Sequence, residues 1–243
     1  MRIWDIDPGY LNRQSLLGEH RELHGIVSIL ANGKTGYARH PETLRWRECG
    51  WALAQRHQHL AAEMALRGYR EASPVFSDSG KDRWPTRYID EPFEQFRILG
   101  DKYRDRETGR IPLPRSAQEL WAQHKYSVMA RDVELYRQLG REVAAVSPRD
   151  DLHGLAITLV ECLRRRPTEG GVRNALQHMW GYVSDVGEGA ESWSLSRLLN
   201  EVRQRAMAGG APYLVGSTAL GELGAWLPGD ESFRHPCHTP VIL

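Results

Sequence analysis

The stretch YLNRQSLLGEHRELHGIVSIL, residues 10–30, decides how the chain is read. Leu16, Leu17, His20, Leu23, Ile26, Val27 and Leu30 recur at steps of three and four, the spacing that gathers side chains on one face of an α-helix. The other face carries Gln14, Ser15, Gly18, Glu19, Arg21, Glu22 and Gly25, whose small members leave room for another backbone or a ligand. Asn32-Gly33 then supplies a turn. A second helix is predicted from Glu42 to Arg67, with Pro41 at its first turn and Gly68 just past its end.

Beyond residue 70 the pattern changes. Residues 71–115 hold Pro74, Pro85, Pro92, Pro112 and Pro114 among many charges, which reads as a connector of short irregular elements, too long to be wholly unstructured. Helical signals return at Ser116-Ala117-Gln118-Glu119, a capping box. Asp132 is placed to cap a further helix, and more helices are predicted near 151–165, 171–184, 194–208 and 217–226. The expected class is all-α: two packed helical units, 1–75 and 116–228, joined by a Pro-rich, charged connector at 76–115, with a loop-like tail at 229–243.

Composition narrows the function classes. Lys and Arg number 32 against 31 Asp and Glu, a net charge of +1, so nucleic-acid binding would rest on a local patch and not on a basic chain. Cys49, Cys162 and Cys237 are odd in number and far apart, which implies no disulfide framework and favours a reducing cytoplasm. MRIWDIDPGY lacks the apolar core of a signal peptide, and no apolar run approaches a membrane span. No Gly-rich phosphate loop is present, so no cofactor is implied. His235-Pro236-Cys237-His238 is too tightly spaced for a standard zinc site, and the reading assigns no metal.

The chemistry-bearing string is Gln14-Ser15-Leu16-Leu17-Gly18-Glu19-His20-Arg21-Glu22-Leu23, followed by Ala31-Asn32-Gly33-Lys34, Tyr37-Ala38-Arg39-His40-Pro41 and Leu60-Ala61-Ala62-Glu63-Met64-Ala65-Leu66-Arg67-Gly68-Tyr69. It resembles the phage endonuclease V family, pyrimidine-dimer DNA glycosylases that also cut the abasic site; Met1-Arg2-Ile3-Trp4 is similar to the start of the bacterial members. The resemblance implies that the family's catalytic glutamate falls on Glu22, its neighbouring arginine on Arg21, its N-terminal arginine on Arg2 and its helix glutamine on Gln14. The family's nucleophile, a chain-terminal amine, falls on Met1, which Arg2 should protect from trimming. An α-amine titrates at about 7.7–8.0, so part of it is neutral and nucleophilic near neutral pH. A carboxylate beside it can stabilise the iminium that forms. Arg2, Lys34, Tyr37 and Arg39 are candidate substrate contacts, although the charges read equally well as ordinary surface groups. Two departures, Gly25 and Ser15 in place of a helix arginine and histidine, bear on the base bound and not on the amine chemistry.

In the second unit, Leu120–Arg131, Tyr136–Arg141, Asn174–Tyr182 and Pro212–Val215 are similar to a helical domain of unknown function, DUF1722. That domain is fused elsewhere to thiouracil-desulfidase-like domains, an association with modified nucleobases. His124 and Lys125 are its candidate nucleic-acid contacts; Tyr136, His178 and Tyr182 read as core or stacking groups, and Arg164-Arg165-Arg166 as a helix end. The expected activity is excision of a damaged pyrimidine from duplex DNA through a Met1 imine with Glu22 assisting, and then strand cleavage. The alternatives are the same chemistry on a modified, for example thiolated, base in tRNA, RNA or a nucleoside, and a non-catalytic nucleic-acid-binding module.

Overall fold

A computed structural model of the chain describes residues 1–145, 152–185, 189–227 and 241–242. The fold is all-α. Helix α1 (Arg13–Asn32) starts where Asn12 accepts a hydrogen bond from the Ser15 amide at 2.9 Å, and stops at Gly33, whose φ of 58° is left-handed. Its apolar stripe is buried as expected at Leu16, Leu23, Ile26 and Val27. The second stretch forms two helices, α2 (Pro41–Trp46) and α3 (Gly50–Leu66), instead of one. The break has a long-range cause. Residues 77–80 press on the 48–50 turn so closely that a Cβ on Gly50 would lie 2.6 Å from the Ser77 hydroxyl, and one on Gly80 2.1 Å from the Glu48 carbonyl.

The segment read as a connector contains an 11-residue helix, α4 (Pro92–Lys102), and sends Phe96, Leu99, Tyr103 and Ile111 into the core. After it come α5 (Ala117–Met129), α6 (Val133–Ala145), α7 (Leu152–Leu163), α8 (Glu169–Trp180), α9 (Leu195–Arg205), α10 (Pro212–Val215) and α11 (Ala219–Glu222). Side chains cap these helices where the sequence suggested and beyond. Ser116 accepts from the Glu119 amide at 3.2 Å, and Asp132 from Leu135 at 2.9 Å. The Glu119 carboxylate takes the Arg115 amide instead of completing the box on Ser116.

α1 lies on α3, which is covered on another side by α11; α5 packs against α6, α7, α8 and α11, and α4 against α7. One apolar core runs from Ile3, Leu16 and Leu53 through Leu99 and Ile111 to Leu120 and Leu159. A second gathers Tyr126, Leu176, Leu198, Val202, Leu214 and Leu220. The first core therefore crosses residues 75 and 115 without interruption. Val75–Phe76 (β1) pairs in parallel with Val241–Ile242 (β2), a two-residue strand where only loop was expected. Cys49 and Cys162 are buried and unpaired. Among the described residues no helix is long and apolar enough to cross a membrane. The His235-Pro236-Cys237-His238 stretch lies outside the described residues.

Candidate active site

The first seven residues belong to no helix or strand, so their backbone donors need other partners. Side chains supply them. The Arg2 amide donates to the Glu22 carboxylate and the Trp4 amide to Glu19 at 3.2 Å. Next, the Asp5 amide donates to Gln95 at 2.8 Å. Two residues of extended chain span about 6.6 Å, close to the separation of helix neighbours three apart. That match lets Glu19 and Glu22, on one face of α1, catch alternate amides of a chain running antiparallel to the helix.

Each carboxylate is itself anchored or placed by the fold. Glu19 is buried and takes two hydrogen bonds from Arg56 of α3, at 2.7 and 2.9 Å; Arg56 also donates to the Ile6 carbonyl at 2.9 Å. Asp5 accepts from Arg45 and from Arg164, both at 2.8 Å, and Arg45 reaches back to the Ile3 carbonyl at 3.0 Å. The N-terminal stretch is thus clamped between α1, α2, α3, α4 and the end of α7.

The clamp positions the chain amine. Met1 and Glu22 are both half-buried, and among the described residues no direct ion pair joins them. Because the Arg2 nitrogen is hydrogen-bonded to the Glu22 carboxylate, covalent geometry keeps the Met1 nitrogen within about 6.5 Å of that carboxylate. The face beside it is open. Cβ atoms built on Gly18 and Gly25 meet nothing within 4 Å, and Gln14 and Arg21 are exposed. Ser15, expected on that face, is buried beneath it.

The remaining candidates fall into three settings. Arg2 is turned aside: its guanidinium pairs with Asp90 at 2.7 Å and stacks 4.1 Å from the Trp4 ring centre. Lys34, Tyr37 and Arg39 sit on the exposed loop after α1, where Lys34 donates to the Ser28 hydroxyl at 2.7 Å. Tyr37 is 71% exposed and has a φ of 58°, so a large aromatic side chain is displayed on left-handed backbone. Eleven helical residues separate Gly33 from Glu22, about 16 Å along the axis.

His124 corrects the sequence reading. It is only 3% exposed, with Nδ1 2.9 Å from the Leu120 carbonyl and 3.4 Å from the Tyr10 hydroxyl. Burial pulls its ring down to about 4, against the Leu120 hydrogen bond, which pulls the other way. It is a neutral core histidine at the edge of a cavity of about 30 Å³ and does not reach a surface phosphate. Lys125 does reach the surface, its ammonium 4.8 Å from the Tyr126 ring centre and 5.0 Å from that of Tyr213. Burial alone would lower it, but the Tyr213, Tyr182 and Tyr136 phenols raise it. Tyr182 and Tyr213, 5.8 Å apart, are each about half exposed, so the basic group sits within a displayed aromatic cluster. Arg164 is occupied by Asp5 and Glu161 and lies over Trp84.

Sequence reasoning missed the clamp. Glu19, Arg56, Asp5, Arg45 and Gln95 had no local pattern to announce them, because the clamp's pairings span 15 to 159 residues.

Residues 1–77 match the family model of the pyrimidine dimer DNA glycosylases, and residues 125–213 match that of a protein family of unknown function, DUF1722. No curated protein and no solved structure matches the chain. The first match covers Met1, Glu22 and the whole clamp on α1 to α3, and the second begins at Lys125 and ends at Tyr213. The N-terminal part of the chain is thus similar to the pyrimidine dimer DNA glycosylases, and the C-terminal part to the DUF1722 family.

Proposed function

We propose that this chain is a base-excision glycosylase with abasic-site lyase activity, and that the Met1 amine is its nucleophile. The observation that carries this reading is the Arg2 amide held by Glu22, which fixes the chain terminus beside a carboxylate on an open helix face. The neutral amine attacks C1′ of a damaged pyrimidine nucleotide, the N-glycosidic bond breaks, and the base leaves with a proton. The sugar ring opens to an imine on Met1. Glu22 stabilises the cationic imine and receives the proton lost from C2′ as the bond to the 3′ phosphate oxygen breaks. Water then hydrolyses the imine and frees the amine.

Reaching C1′ requires the duplex to bend or a nucleotide to leave the stack, at a few kcal/mol. The open surface at Gly18 and Gly25 leaves room for it, with Arg21 and Gln14 beside it. Lys34, Arg39 and the displayed Tyr37 suit backbone contact and stacking farther along the duplex. Arg2 joins them only by leaving Asp90. The cytoplasm is the compartment that unpaired Cys49 and Cys162 support.

A second reading, a modified base in RNA or tRNA, draws on two observations. Gly25 leaves open space where the phage family has a substrate-gripping arginine, and Lys125 with Tyr126, Tyr182 and Tyr213 makes a platform for splayed bases.

Single-turnover assays on UV-irradiated DNA, abasic DNA and thiolated tRNA separate the readings. Glu22→Gln should slow the preferred substrate by about 10²–10⁴-fold with binding retained. Unchanged turnover in that variant would remove Glu22 from the chemistry, and binding without turnover on every substrate would leave a binding module.

A further inference from the structure

On the side of α1 that faces α3, three imidazoles and one carboxylate converge. His20 and His24 are one helical turn apart on α1, His57 comes from α3, and Glu71 lies just beyond the end of α3. One donor atom from each lies within 4.8 Å of all the others. The His20 and His57 Nε2 atoms are both 3.6 Å from the same Glu71 oxygen, too long for hydrogen bonds. The rings stand 4.6 to 5.1 Å apart, centre to centre.

Four buried ring nitrogens here have no hydrogen-bond partner: Nε2 of His20, Nε2 of His24, and both nitrogens of His57, a residue only 1% exposed. Buried polar atoms in folded proteins are nearly always satisfied. Ring stacking alone leaves these four orphaned, and the Glu71 oxygen that faces His20 and His57 also accepts from the Ser73 amide. A cation at the centre satisfies one nitrogen of each histidine and the carboxylate at once.

We propose that His20, His24, His57 and Glu71 form a binding site for one divalent first-row transition metal, with zinc(II) as the reference ion, that ties α1 to α3 and to the segment following it. Tetrahedral zinc with ligands at about 2.0–2.1 Å has ligand–ligand edges of about 3.3 Å, so the 3.6 Å contacts need almost no movement and the longest separation closes by side-chain rotation. Three imidazoles and one carboxylate suit zinc and its neighbours; calcium and magnesium need oxygen-rich shells. All four positions are filled by protein, which is the pattern of a structural site. Glu22 points away from it to the Arg2 amide, so the metal site stands independently of the amine chemistry.

The test uses the full, tag-free chain. After treatment with a chelator it is dialysed against zinc(II) or cobalt(II), and metal is measured by mass spectrometry. One equivalent per chain should remain, cobalt(II) should give the strong visible absorption of a tetrahedral site, and zinc should raise the melting temperature. His24→Gln, half-buried and thus tolerable to the fold, should weaken zinc binding at least about tenfold, as should Glu71→Gln, whereas Glu22→Gln should bind zinc like the parent chain. Should His57→Gln fail to fold, those two variants carry the comparison. Retention by the parent chain no greater than by His24→Gln, or a melting temperature indifferent to zinc, would overturn the proposal.

Discussion

Asp7 shows what the clamp costs at the scale of a single residue. Its carboxyl caps the short turn at Pro8–Tyr10 by accepting from the Gly9 amide at 2.7 Å, yet it is almost fully buried. Burial, and then the charge of Glu63, push it up from 3.8 to about 7, with Arg110 pulling the other way. Between about pH 4 and 7 the folded chain therefore holds a proton that the unfolded chain has released, and stability should fall as pH rises through that window. Asp7→Asn should flatten the slope; denaturant titrations at several pH values check it, and an unchanged slope would assign the effect elsewhere. His124 works in the opposite sense. With its folded value near 4, protonation of the unfolded chain should lower stability as pH falls from about 6.5 towards 4.

At the scale of elements, α1 is held by its ends and by one buried pair. Asn12→Ala removes the cap and should cost about 1 kcal/mol, a fall of about 2–4 °C in melting temperature for a chain of this size. Glu19→Ala strands Arg56 in the core and should cost about 3–5 kcal/mol, with a correspondingly larger fall; a shift no larger than that of Asn12→Ala would mean the pair is not the clamp described. The first helix was legible because its stripe, its cap and Asn32-Gly33 agree with one another. The break between α2 and α3 was not, because it is imposed by residues 77–80 pressing on Glu48 and Gly50. α4 had a readable pattern, Pro92 followed by Phe93, Phe96, Leu99 and Tyr103, that the surrounding prolines and charges obscured. The alternating capture of Arg2 and Trp4 by Glu22 and Glu19 could not be read at all, since it pairs extended chain with helix. The same holds for the histidine cluster: His20 was read as part of the apolar stripe, His24 was assigned to neither face, and only the packing of α3 brings His57 to them.

At the scale of the whole molecule the two family segments share one structure. The Tyr10 hydroxyl donates to Gln123 at 2.7 Å, Arg110 joins Glu63 of α3 to the Ser217 carbonyl, and Arg131 holds Glu222 of α11 at 2.8 Å while α11 covers α3. Residues 1–115 expressed alone would expose the apolar faces that α5, α7 and α11 cover. That fragment should be digested rapidly by protease and lack a cooperative thermal transition; a melt matching the full chain would show that the N-terminal part is self-sufficient. On this account the second segment covers apolar surface of the first as well as bearing the Lys125 cluster.

The central claim is that the terminal amine, fixed beside Glu22, attacks the sugar. Borohydride reduction during reaction of the full chain with UV-irradiated or abasic DNA, or with thiolated tRNA, followed by peptide mapping, tests it directly. The account predicts a covalent adduct on the Met1 nitrogen that is lost when one residue is added before Met1 and greatly reduced in Glu22→Gln. An adduct on an internal lysine, or none on any of these substrates, would contradict it.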